Sequence, residues 1–250
     1  MALIVTARHA GVSVGTSSPY VASSAKPSAN SLLLVFDGAQ GVNTIVSQVH
    51  ATPTGGGWTY TQLGTSPTQA NWAGDPQYPS TGAIWQASVG ASPAAHTITV
   101  DAFTGTETAI YAPIACDVTD YKPSGIIVQY AQKAADTQPG GGAGNSSASG
   151  TVTLDATPTA GNVVIVYFFV AADSLGGISS PTMGSGKTFT SLTQQGSGTV
   201  QSGLWYRLAD GSESTTITSA DLGQLVGNYY AAAIEIAAIP NYTKAMWFTA

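Results

Sequence analysis

Ser31-Leu32-Leu33-Leu34-Val35-Phe36 is a continuous apolar run, entered through Pro27-Ser28-Ala29-Asn30 and left through Asp37-Gly38. A run this short between turn formers reads as a strand buried on both faces. It occurs a second time. Pro158-Thr159-Ala160-Gly161-Asn162 leads into Val163-Val164-Ile165-Val166-Tyr167-Phe168-Phe169-Val170, with the proline in the same place. These two runs are read as the central strands of two like units.

Flanking segments repeat in the same order. Ala2–Ala7 resembles Gly125–Ala131 as an opening strand, and Val21–Ser23 resembles Val152–Leu154. Gly55–Leu63 matches Gly184–Leu192, and the strand around Trp85 matches that around Trp205. His96–Val100 matches Thr215–Thr218, and Tyr111–Val118 matches Tyr230–Ile236, which pairs Asp117 with Glu235. The offset drifts only modestly, which places insertions in loops and spares the strands. The expected organisation is therefore residues 1–121 as a first β-sandwich domain, 122–240 as a second, and 241–250 as a C-terminal contact tail. Roughly seven or eight strands per unit suit an all-β fold of two tandem sandwiches, jelly-roll or Ig-like. Ala231–Ala238 has helical propensity, but its counterpart carries Pro113 and β-branched residues, so both are read as strands.

Only 8% of the 250 residues are charged and 43% are hydrophobic, so the chain should fold rather than stay disordered. The net charge is −6, and the seven Lys and Arg are scattered. That argues against a nucleic-acid partner, which needs a cluster of cations to neutralise phosphates. No apolar segment approaches the ~18 residues of a membrane-spanning helix, so no membrane partner is expected. The opening Met1–Arg8 lacks a basic stretch ahead of a long apolar run, so the chain is expected to be assembled in the cytoplasm that makes it. The single Cys116 reads as a small core residue.

Candidate chemistry is sparse. Gly184-Ser185-Gly186-Lys187-Thr188 resembles the end of a phosphate loop, but Phe189–Leu192 alternates like a strand where a helix is required. It is read as a turn before a strand. His9, His50 and His96 stand in unrelated contexts, and no Gly-x-Ser-x-Gly elbow accompanies them. Asp117 and Glu235 are read as satisfying a backbone donor or facing solvent at a strand end. Asp117–Asp120 and Asp210–Glu213 are read as solvated oxygen-rich turns, too short for a Ca²⁺ loop. No catalytic residue, cofactor or metal is expected. Trp85 and Trp205 read as core.

Two regions stand out as contact candidates. The stretch 64–81, longer than its counterpart, holds Trp72, Asp75 and Tyr78 among prolines, and a ring beside polar groups could stack on a glycan. The tail carries Tyr242, Trp247 and Phe248, which suit docking onto its own second unit or a neighbouring subunit.

The order Pro-x-x-Asn/Gly, apolar run, Gly-Trp-Thr or its equivalent, Trp strand, Thr-Ile-Thr and Ala-rich last strand resembles the β-sandwich domains of tailed-bacteriophage virion proteins. The resemblance covers nearly the whole chain, once per unit. It departs from the pattern at Asn30-Ser31 and Gly161-Asn162, where an acid often stands, and at Lys187, where Trp is usual. Such a family implies a structural or adhesive role in the virion and no catalysis, and the leading expectation is a head decoration (cement) protein. The implied partners are the major capsid protein or tail proteins and further copies of the chain, as a homo-oligomer. The alternative is a tail or fibre-associated protein binding host carbohydrate.

Overall fold

The computed structural model describes residues 3–17, 19–41, 48–66, 80–103, 108–121, 125–136, 149–172, 177–197, 200–222 and 227–239. Its helices or strands, among these residues, are all strands. The first half contributes β1 (Ile4–Ala10), β2 (Ser13–Ser17), β3 (Tyr20–Val21), β4 (Leu32–Gly41), β5 (Gln48–Thr54), β6 (Thr61–Gln62), β7 (Ser80–Ser88), β8 (Thr99–Phe103), β9 (Thr108–Tyr111) and β10 (Ile114–Thr119). The second contributes β11 (Ile127–Asp136), β12 (Gly150–Thr153), β13 (Val163–Ala172), β14 (Thr190–Ser197), β15 (Val200–Leu208), β16 (Thr216–Ser219) and β17 (Gly227–Ile236). Ala231 to Ile236 lies in β17, so tertiary pairing overrides its helical propensity.

Each half builds one large antiparallel sheet. The first runs β1-β10-β4-β7-β6, with β2 and β9 joined beside β4; the second runs β11-β17-β13-β15-β14. The strand order is the same in both. Leu33 stands opposite Asp117 and Ala87, as Val164 stands opposite Glu235 and Arg207. Where the second half has the unbroken β17, the first is split into β9 and β10 at Ala112-Pro113. Proline has no N–H for the ladder and interrupts the strand. Smaller sheets lie alongside: β3-β8-β5 in the first half and β12-β16 in the second.

The apolar runs are buried on both faces because each large sheet is covered twice. Leu33, Val35, Trp85 and Ile98 form a core between the first large sheet and its small one. Val164, Val166, Phe168, Trp205 and Ile217 do the same in the second half. The opposite faces of the two large sheets pack on each other. Leu32, Leu34, Phe36, Ile84 and Cys116 share one cluster with Ile165, Tyr167, Phe169, Tyr230 and Ile234. β4 lies against β13, β7 against β17, and β10 against β15. The halves therefore hold a core in common. Burying each large side chain there contributes roughly 1.5–3 kcal/mol.

β4 does not end at Asp37-Gly38 as a turn would; it runs on to Gly41. Gly38 serves close approach instead. A Cβ there would lie 2.5 Å from the Tyr167 hydroxyl oxygen and 2.6 Å from the Phe169 Cβ. The entrances to both central strands are turns: Asn30 has φ 54° and Gly161 φ 88°. Asn and Gly are the residues that tolerate this left-handed geometry.

Candidate functional site

Trp72, Asp75, Tyr78, Tyr242, Trp247 and Phe248 lie outside the described residues. The described residues include four polar groupings and a cleft that bear on function.

The first grouping fastens the turns before the central strands. Asp117 Oδ2 accepts the Ser28 N–H and lies 3.0 Å from Arg8 Nε, while Arg8 Nη2 donates to Ser28 Oγ at 2.6 Å. Glu235 Oε1 accepts the Thr159 N–H at 2.8 Å and Asn162 Nδ2 at 2.6 Å; Oε2 accepts Gln129 Nε2 at 2.6 Å. Both acids are buried and satisfy backbone donors. The first half uses a cation to hold its carboxylate and the second uses amides. Asp117 is no solvated turn residue: it sits inside β10.

The second grouping is a chain of hydrogen bonds from carboxylate to imidazole to hydroxyl. His50 Nδ1 lies 2.8 Å from Asp37 Oδ2, and Nε2 lies 2.9 Å from Thr81 Oγ1. A carboxylate only accepts, so Nδ1 donates to it, and Nε2 faces a hydroxyl that can donate or accept. Asp37 and Thr81 come from β4 and β7; His50 comes from β5, so the chain ties the small sheet to the large one. This is the bonding order of a nucleophilic triad. Thr81 is wholly buried, however, and no substrate atom can reach its hydroxyl without rearrangement. As it stands, the arrangement is a clamp. Sequence gave no hint of it, because the three residues are far apart in the chain and meet only through the sheets.

The third grouping joins two histidines read as unrelated. The His9 and His96 rings are 4.7 Å apart, and Trp58 meets His96 edge-on at 4.2 Å. His9 Nδ1 is 2.6 Å from the Ser23 carbonyl, and the Nε2 atoms of both rings are buried without a hydrogen-bond partner. Burial lowers both pKa values; for His9 the Ser23 carbonyl opposes this, and His96 and Arg8 reinforce it.

The fourth lies at the surface through Asp210, but Glu213 is buried and accepts the Asp210 and Gly211 N–H groups, so it is no solvated turn residue. Lys187 Nζ is 2.5 Å and Arg207 Nη2 3.2 Å from Asp210 Oδ2, and Arg207 Nε is 3.0 Å from Glu213 Oε1. The Lys187 and Ser212 hydrogen bonds hold the Asp210 carboxyl well below its usual range. Lys187 thus has a carboxylate partner, and residues 183–189 form a turn closed by the Met183 N–H on the Lys187 carbonyl. The segment leads into β14, as a turn before a strand should.

Trp85 and Trp205 are buried, and so is Cys116, whose thiol pKa burial pushes up. No group of three or more potential metal ligands occurs among the described residues. The cleft, about 620 Å³, opens where β11 passes the edge of the first large sheet and is lined by Leu63, Gln86, Val128, Tyr130 and Asp155. No protein-family model, curated protein or solved structure matches the chain.

Proposed function

We propose that the chain is a structural protein of a tailed-phage virion, a head decoration (cement) protein, and that its halves are two copies of one sandwich-forming unit. Beyond the family resemblance, one observation carries the reading. A block whose sheets are closed by a common core keeps exposed apolar side chains on its edge strands and beside its tail. Ile4 of β1 is 56% exposed, Val128 of β11 49%, and Ile239 38%.

An edge strand offers unpaired N–H and C=O groups to a neighbouring chain, and exposed apolar residues beside it add burial. With 8% charged residues, Coulomb attraction contributes little to such a contact. Each contact is modest, but contacts repeated over a lattice act together and add avidity. The buried acid anchors and the Asp37–His50–Thr81 clamp keep the block rigid, so that binding is not spent on ordering it.

Sedimentation of expanded heads, assembled without the chain, tests this. The chain should pellet with the heads, saturate, and raise the temperature at which they break. A chain that stays in the supernatant at micromolar concentration refutes the proposal.

A further inference from the structure

β1 carries one residue too many for its partner between Ala7 and Ala10. Ala7 stands opposite Cys116 and Ala10 opposite Ile114, so the strand bulges there. A bulge re-aims a side chain. His9 sits in it, buried, with its ring against His96 and its Nδ1 on the Ser23 carbonyl. His96 is fixed through its own backbone, which exchanges two hydrogen bonds with Ala25 at 2.9 and 3.0 Å. Trp58 closes on the His96 ring edge-on.

The two rings are set in the same tautomer. A carbonyl only accepts, so His9 Nδ1 donates to Ser23 at 2.6 Å and His96 Nδ1 donates to Ala94 at 3.4 Å. In each neutral ring the free lone pair is then on Nε2. Both Nε2 atoms are buried, and neither meets a hydrogen-bonding group of the protein. Two buried acceptors left unpaired are costly, and a bound group that uses both lone pairs removes the cost.

We propose that His9 Nε2 and His96 Nε2 are the protein ligands of a late first-row transition-metal ion, Cu²⁺ or Zn²⁺, with water in its remaining positions. An Nδ1–H bonded to a backbone carbonyl is the outer-shell support of a metal-ligating histidine: it fixes the ring and raises the basicity of Nε2. Imidazole suits Cu²⁺ and Zn²⁺, whereas Ca²⁺ and Mg²⁺ require oxygen ligands. Two nitrogens at ~2.0–2.1 Å from one ion stand roughly 3–4 Å apart, a separation that rings with centroids 4.7 Å apart can supply. Burial favours the neutral rings, so no proton has to leave near neutral pH. The Arg8 guanidinium opposes a cation here, but it is paired with Asp117. His96 is half-buried and flanked by exposed Ala95 and Thr97, which gives the ion a way in. The site is independent of the virion role proposed above. Its ion would join β1 to the Ala25–His96 bridge and brace the first half.

The chain has three histidines, so NMR can follow their ring nitrogens one by one. Near neutral pH, Zn²⁺ added to the full-length chain should shift the Nε2 resonances of His9 and His96 and leave those of His50 in place. Equilibrium dialysis should retain one ion per chain at micromolar free metal, Cu²⁺ more tightly than Zn²⁺. His9→Gln and His96→Gln should each weaken retention by about tenfold or more. Zn²⁺ should raise the thermal transition of the parent and not of either variant. His9 and His96 resonances unmoved at millimolar Zn²⁺ overturn the proposal, and that result is read on the unaltered chain whether or not the variants fold. Retention equal in the parent and both variants overturns it as well, because the ion is then held elsewhere.

Discussion

Gly38 of β4 and Tyr167 of β13 meet across the common core, with room between them for a hydrogen and nothing larger. The Tyr167 hydroxyl donates to the Ala112 carbonyl at 2.7 Å, so the ring cannot swing aside without leaving a buried polar group unpaired. Gly38→Ala is expected to cost about 1–3 kcal/mol through overpacking. Gly90→Ala, where the new methyl meets nothing within 4 Å, is expected to be neutral or slightly stabilising. Urea unfolding of the two variants compares them; equal midpoints would show that the sheets do not approach as described.

The two acid anchors can be weighed against each other. Asp117→Ala and Glu235→Ala each remove a buried acceptor, from the Ser28 N–H in one case and from the Thr159 N–H and the buried Asn162 amide in the other. A loss of about 2–4 kcal/mol is expected for each, the Asp117 change also leaving Arg8 without its partner. Chemical denaturation reads the losses. A variant indistinguishable from the parent would remove that acid from its assigned role.

The Asp37–His50 pair is expected to behave as a buried, mutually dependent unit. His50→Leu leaves the Asp37 carboxylate buried and unpaired, at about 3–5 kcal/mol. Adding Asp37→Leu should recover part of that loss, because the stranded charge is gone. Additive losses in the double-mutant cycle would contradict a direct coupling.

Acid should loosen the first half through His9 and His96. Their folded pKa values are lowered, so the unfolded chain takes up protons first, from about pH 6.5 downward. Stability is therefore complete above that pH and falls as pH drops below it, by at most ~1.4 kcal/mol per pH unit for His9. The contribution of the more exposed His96 is smaller because water screens it. Thermal midpoints at pH 7.0 and 5.5 measure the drop. His9→Gln should shrink the difference between the two midpoints whatever it does to either; an undiminished difference would count against this origin.

The sequence revealed the strands more readily than the way they stack. Leu32–Phe36 and Val163–Val170 announce burial on both faces through unbroken hydrophobicity, and Pro27–Asn30 and Pro158–Asn162 announce the turns before them. What covers the second face was not legible, because Phe36 and Tyr167 carry no mark of being each other's neighbours, although their rings lie 5.5 Å apart. Gly38 misled for a related reason: glycine serves turns and close approaches alike, and only the facing sheet tells them apart. Of the polar groups, the Asp117 and Glu235 anchors were legible only in part: the matched places of the two acids suggested a common role, but a bond to a backbone donor and exposure to solvent fitted the sequence equally. The Asp37–His50–Thr81 clamp and the His9–His96 pair were not legible, since each is assembled by strands from different sheets or turns.

The central claim is that the two halves are one body through the core they share. Differential scanning calorimetry of the whole chain tests it directly. A single transition is expected, with the calorimetric enthalpy equal to the van't Hoff enthalpy, and Gly38→Ala should shift that transition as a whole. Two resolved transitions, only one of them moved by the substitution, would contradict it.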